Sequence, residues 1–185
     1  MNYIQQITAY FERLKNTIDK IDKNDLSIVM NILEKARLEG RNIFIMGNGG
    51  SAATASHYVC DFNKGVSMHK DKRYKFICLN DNVPTMMAYA NDISYEDVFA
   101  EPLKNLYNIG DVVLGISGSG NSKNVLNAII WAKEHGAVTI GLTGYDGGKL
   151  KQVVDYNVHI PIDDMQITED LHMVLDHCMM KILCE

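Results

Sequence analysis

The chain has 185 residues, enough for one domain with a sizeable core, and 46% apolar with 22% charged residues is an ordinary globular composition that excludes disorder and collagen. The net charge of −5 is unevenly spread, with 12 Lys+Arg against 10 Asp+Glu over residues 1–92 and 6 against 13 over 93–185. Neither half has the basic excess of a nucleic-acid surface, no apolar run approaches a membrane span, and the start is amphipathic rather than signal-like, so a cytoplasmic protein is expected.

The opening segment repeats apolar residues at Ile4, Ile7, Phe11, Leu14, Ile18 and Ile21, which predicts a helix with a narrow apolar seam that wants another helix. A second amphipathic helix follows from about Asn24 to near Gly40, with Asp25 as its candidate cap. Short apolar runs then alternate with helical patterns. The runs are Asn42–Met46, Phe76–Leu79, Val112–Ile116, Val138–Leu142 and Val158–Ile160. Helices are expected around Ala52–Phe62, Val83–Ala90, Tyr95–Tyr107, Lys123–His135 and Gly147–Val153, with a last one over Ile167–Leu183. This order predicts an α/β protein: a doubly wound parallel sheet flanked by helices, in a single domain over 1–185 whose residues 1–40 form a helical N-terminal extension. Cys60, Cys78, Cys178 and Cys184 show no Cys-x-x-Cys spacing and are expected as reduced core thiols.

Two loops stand out at strand ends. Gly-Asn-Gly-Gly-Ser-Ala-Ala at Gly47–Ala53 opens a helix, whose unpaired N–H groups and dipole favour an anion while the glycines admit it closely. It is neither a dinucleotide fingerprint, since position 52 is Ala, nor a P-loop, since no Gly-Lys-Ser/Thr follows. The second, Ile116–Ser122, presents Ser117, Ser119 and Ser122 between glycines, a ring of neutral donors suited to phosphate oxygens. Either loop alone is also compatible with a tight turn that binds nothing. Both at the carboxyl ends of strands in one sheet point to a phosphorylated small molecule in the crevice of an open α/β fold.

Ligand-type side chains lie on two predicted helices. His57 and Asp61, four apart, share a face, and Glu169 and His177, eight apart, lie about 80° from each other around the last helix. The set suits either a tetrahedral zinc site or a metal-free acid/base cluster. His172 is read as a structural histidine.

In this order the motifs resemble the sugar isomerase (SIS) domain family, and within it the phosphoheptose isomerases. The likeness is carried by GNGGSAA with the helical His57, Ala90-Asn91-Asp92, Tyr95-Glu96 with Val98-Phe99, GDVVLGIS at Gly110–Ser117, SGNS at Ser119–Ser122, IGLTGYDGGKL at Ile140–Leu150 and the terminal EDLHMVLDH. The resemblance implies a five-stranded sheet and a homotetramer with active sites between subunits. It implies phosphate binding by Ser51, Ser117, Ser119 and Ser122, with Asn48, Gly49, Gly50, Asn91, Asp92, Gly118 and Glu169 also lining the substrate. One zinc per subunit would be held by His57, Asp61, Glu169 and His177, and proton transfer would fall to Asp61 or Glu169 as base with His177 as acid. The implied reaction is aldose/ketose isomerisation of a sugar phosphate, sedoheptulose 7-phosphate to D-glycero-D-manno-heptose 7-phosphate. The family usually has Glu at the place of Asp61, Gln at Glu169 and often Thr at Gly118. A competing reading is a non-catalytic SIS tetramer that binds a sugar phosphate or a replication-initiator protein. The paralogue of that kind lacks a histidine at the place of His177, which this chain keeps. SIS transcription factors carry a basic DNA-binding head, for which the N-terminal residues have neither charge nor length.

Overall fold

The computed structural model describes residues 1–185. Its sheet has five strands, β1 (Ile43–Met46), β2 (Phe76–Cys78), β3 (Val112–Ser117), β4 (Val138–Thr143) and β5 (Tyr156–His159), all parallel and in the order β2-β1-β3-β4-β5. Parallel strands need crossovers, supplied by α3 (Gly50–Cys60), α4 (Val83–Asp92), α5 (Ala100–Leu106), α6 (Lys123–Glu134) and α7 (Gly148–Val153), while α1 (Ile4–Ile18) and α2 (Lys23–Glu39) precede β1 and α8 (Met165–Leu183) follows β5.

Side chains alternate across each strand, and both faces are covered. Ile43, Ile45, Leu114, Ile116, Ile140 and Leu142 face a core shared with α2, α3 and α8, whereas Phe44, Met46 and Val113 face Phe99, Leu103, Val125 and Ile129. From β1 the chain first steps outward to β2, then returns to the other side of β1 with β3. The sheet therefore reverses its winding between β1 and β3, and the loops that follow these two strands are neighbours at the switch point. That single topological fact brings the two Gly/Ser loops together.

Several elements differ from expectation. The cap of α2 is Asp22, whose carboxylate accepts from the Asn24 N–H at 2.8 Å, while Asp25 lies in the first turn; Gly40 closes the helix at φ +70°. The helix expected over Tyr95–Tyr107 is split into a 3₁₀ turn at Tyr95–Asp97 and α5. Pro102 accounts for the break, because a residue without an N–H is tolerated only in a first helical turn. α3 starts at Gly50 and runs into a π-helical turn, Asp61–Val66, and β5 begins two residues before Val158. All four cysteines are unpaired, but only Cys78 is buried; Cys60, Cys178 and Cys184 are exposed.

The N-terminal seam divides in two. Leu14, Ile18 and Ile21 pack on the core, whereas Ile4, Ile7 and Phe11 are left 67%, 51% and 62% exposed. α2 forms part of the main core, burying Val29, Leu33 and Ala36. No helix is long and apolar enough to cross a membrane.

Candidate active site

Gly47 is held by the Asn80 side chain, which accepts from its N–H at 3.2 Å and donates to its carbonyl at 2.8 Å. Next to it Asn48 exchanges two hydrogen bonds of 2.9 Å with Asn124, a buried residue in the first turn of α6, and accepts a third from the Tyr95 hydroxyl at 3.0 Å. The Asn48 amide thus ties the first loop to the helix that follows the second. Neither Asn124 nor Tyr95 is marked by any motif as a partner of Asn48.

Ser51 and Ser117 are buried, while Ser119 and Ser122 are half-buried. Ser122 occupies the N-cap of α6 without capping it. Its Oγ lies 3.0 Å from that of Ser117, which leaves the first-turn N–H groups of α6 without that partner. A Cβ at Gly118 would stand 2.6 Å from the Met165 sulfur, so a threonine there would require the Met165 side chain to shift. Gly120 sits at φ +66°, where a Cβ would lie 2.0 Å from the Gly147 carbonyl oxygen, so the loop is set against the turn that opens α7. Asn91 and Asp92 lie exposed at the end of α4, with Asn91 donating to Asp92 at 2.8 Å.

The second group lies where α3 meets α8. The Nε2 atoms of His57 and His177 are 3.0 Å apart, and Asp61 Oδ2 lies 3.5 Å from the first and 3.9 Å from the second. Asp176 completes the group. One ligand atom from each of His57, Asp61, Asp176 and His177 falls within 4.8 Å of all the others. The two imidazoles are 42% and 56% exposed and Asp61 13%, whereas Asp176 is wholly buried. Both Asp176 oxygens lack a hydrogen-bond partner, and burial with the neighbouring Asp61 charge pushes its carboxyl up to about 8. These donors fit a divalent cation. The edge of a tetrahedron around zinc with nitrogen and oxygen ligands is about 3.3 Å, inside the observed spread, and a buried unpaired carboxylate is what a cation relieves.

Glu169 stands apart from this group. Its carboxyl atoms lie against Gly50, within 2.3–2.6 Å of where a Cβ would be, at the start of α3. The reason is arithmetic: eight residues of helix carry it about 12 Å along the axis from His177. A cleft of about 660 Å³ at the β2 edge, among Cys78, Pro84, Met86 and Leu106, contains none of these residues.

His172 lies in the core, its Nε2 at 3.4 Å from the Thr143 carbonyl and its Nδ1 without a partner. Burial holds its pKa down at about 4. The unfolded chain gains a proton at this residue below pH 6.5 that the folded chain refuses until about 4, so stability is lost as pH falls through that window, by about 3 kcal/mol. Asp176 acts in the opposite sense over the same range. The expected result in denaturant titrations of chelator-treated protein is therefore a difference between wild type and His172→Gln that shifts by that amount from pH 7 to pH 4; parallel curves would contradict it.

A switch-point crevice walled by two Gly/Ser loops, beside paired histidines on α3 and α8, defines an open α/β ligand-binding domain of the SIS kind. The SIS domain family model matches residues 2–144. A phosphoheptose isomerase of Helicobacter pylori (strain P12) is 36% identical over 181 residues, covering 98% of this chain and 91% of its own, and one from Geotalea daltonii is 36% identical over 185 residues, covering 98% and 94%. Phosphoheptose isomerase structures from Neisseria gonorrhoeae and Francisella tularensis superpose with TM-scores of 0.89 and 0.90 at 28% and 26% identity, covering 98% and 99% of this chain and 98% of each of theirs. The chain belongs to the SIS domain family, among the phosphoheptose isomerases, which are aldose–ketose isomerases.

Proposed function

We propose that the protein is a cytoplasmic aldose–ketose isomerase that interconverts sedoheptulose 7-phosphate and D-glycero-D-manno-heptose 7-phosphate. The observation that carries this is α3 itself, which begins in the first Gly/Ser loop, presents His57 two turns later and runs into the π-helical turn that places Asp61 beside it, both opposite His177. From Gly50 to His57 is about 10 Å along the helix axis, a span that an open-chain seven-carbon sugar phosphate covers.

Ser51, Ser117, Ser119 and Ser122 bind the phosphate, whose remote binding energy aligns the reacting carbons. Gly49, Gly50, Asn91, Asp92 and Glu169 contact the sugar, and Asn48 positions the first loop through Asn124 and Tyr95. Asp61 takes the proton from the carbon next to the carbonyl, and His177 supplies a proton to the carbonyl oxygen as the enediol forms. Return of a proton to the neighbouring carbon, with loss of one from the other hydroxyl, completes the exchange without net oxidation. Of the two candidate bases, Asp61 is favoured over Glu169 because it alone lies within 4 Å of His177 Nε2. Zinc, when bound by the His/Asp group, supplies Lewis-acid stabilisation of the oxygen charge that develops on the sugar.

The assembly proposed is a homotetramer. The exposed Ile4, Ile7 and Phe11 on the N-terminal half of α1 supply an apolar stripe for another subunit. Sedimentation should show a tetramer; a stable, active monomer would remove this part of the reading. The activity is tested by incubating the protein with a panel of ketose phosphates in D₂O, with zinc added. An aldose product from sedoheptulose 7-phosphate, with deuterium at the carbon that gains the proton, is expected. Neither product nor exchange with any ketose phosphate would overturn the assignment.

A further inference from the structure

We propose that Asp176, and not Glu169, is the fourth protein ligand of the divalent metal held by His57, Asp61 and His177. This rests on the metal reading above and assigns it a donor set. α3 contributes His57, the π-helical turn that continues it contributes Asp61, and α8 contributes two consecutive residues, so four donor atoms gather within 4.8 Å. Asp176 is the innermost of them. It is 0% exposed, and neither of its oxygens has a hydrogen-bond partner. Tyr58, the next buried polar group, does not supply one, because its own hydroxyl is also unpartnered. A carboxylate carried into a core with no donor aimed at it is costly, and a cation beside the two imidazoles and Asp61 is the compensation that the geometry offers.

Glu169 shares a stripe of α8 with Asp176, being seven residues earlier, but it sits two turns toward the helix start, about 10 Å away along the axis. Its carboxyl group lies against Gly50 at the head of α3, away from the four gathered donors. The two carboxylates thereby divide the work. Asp176 brings the buried negative charge that balances the cation with Asp61, and the exposed imidazoles leave the outer side of the site open.

The test uses Co²⁺ as the probe on chelator-stripped full-length protein, read by calorimetry and by the visible band of four-coordinate cobalt. Wild type should bind one Co²⁺ per chain. Asp176→Asn and Asp176→Leu should lose at least about 100-fold in Co²⁺ affinity, the upper range for loss of even an outer partner. Glu169→Gln should stay within about threefold of wild type, since no ligand is removed. Unfolding midpoints of the stripped Asp176 variants, at or above that of stripped wild type, exclude misfolding as the cause. Wild-type affinity in both Asp176 variants, with loss in Glu169→Gln, would overturn the assignment while leaving a metal on His57, Asp61 and His177. Absence of Co²⁺ binding by wild type and His57→Ala alike would overturn both the assignment and the metal reading beneath it.

Discussion

Asp61→Asn is expected to lower kcat for ketose-to-aldose conversion by roughly 10²–10⁴-fold, the usual worth of a positioned general base. The substitution keeps the side chain's size and removes its negative charge, and with that its capacity to accept a proton and part of its strength as a metal ligand. Asp61 begins the π-helical turn and its backbone N–H bonds the His57 carbonyl as the α3 helix ends, interactions the amide side chain does not disturb. The thermal midpoint should therefore change little. Measurement under saturating zinc separates the proton-transfer role from ligand loss, and deuterium wash-in at the reacting carbon should fall in parallel with turnover. A variant within tenfold of wild type in kcat, with wash-in preserved, would move the base to another group, and Glu169 would then be the carboxylate to examine.

The path from sequence to this site was legible in parts, for definable reasons. β1 and β3 read clearly because continuous apolar runs followed at once by Gly/Ser turns are what a doubly covered parallel strand demands. The loops were visible for the same reason, and their adjacency follows from strand order. What the helical period does not reveal is which turn of α8 meets which turn of α3. Glu169 and Asp176 occupy nearly the same angular position, and only the packed register chooses between them. In that register α8 comes close at two glycines, Gly50 against Glu169 and Gly65 against Met180, where a Cβ would lie 2.3–2.6 Å and 2.5 Å from the facing side chain. The Asn48–Asn124 pair was hidden because an asparagine in a first helical turn reads as solvent-facing. Cys178 sits in an apolar stretch and yet is exposed, because α8 also has a side turned away from the core.

Replacing Ser119 and Ser122 together with alanine is expected to raise KM for the sugar phosphate by about 100-fold or more, since each hydrogen bond to a charged group is worth about 1.5–3 kcal/mol. The argument turns on what else is available to hold the phosphate. No Lys or Arg occurs between Gly47 and Ser56 or between Ser117 and Ser122. Lys123 follows directly, but its ammonium pairs with Glu96 at 2.7 Å. Neutral hydroxyls, backbone N–H groups and the start of α6 are left to meet the charge, so loss of two hydroxyls is not made good by a nearby cation. The fold should tolerate the change, because Ser122 makes no capping bond and Ser119 accepts only a 3.3 Å contact from the Asn121 N–H. kcat should also fall, though less, because phosphate binding energy orients the reacting carbons. Unchanged KM in the double variant would take the second loop out of the phosphate site and leave Ser51 and the α3 start as the only anchor.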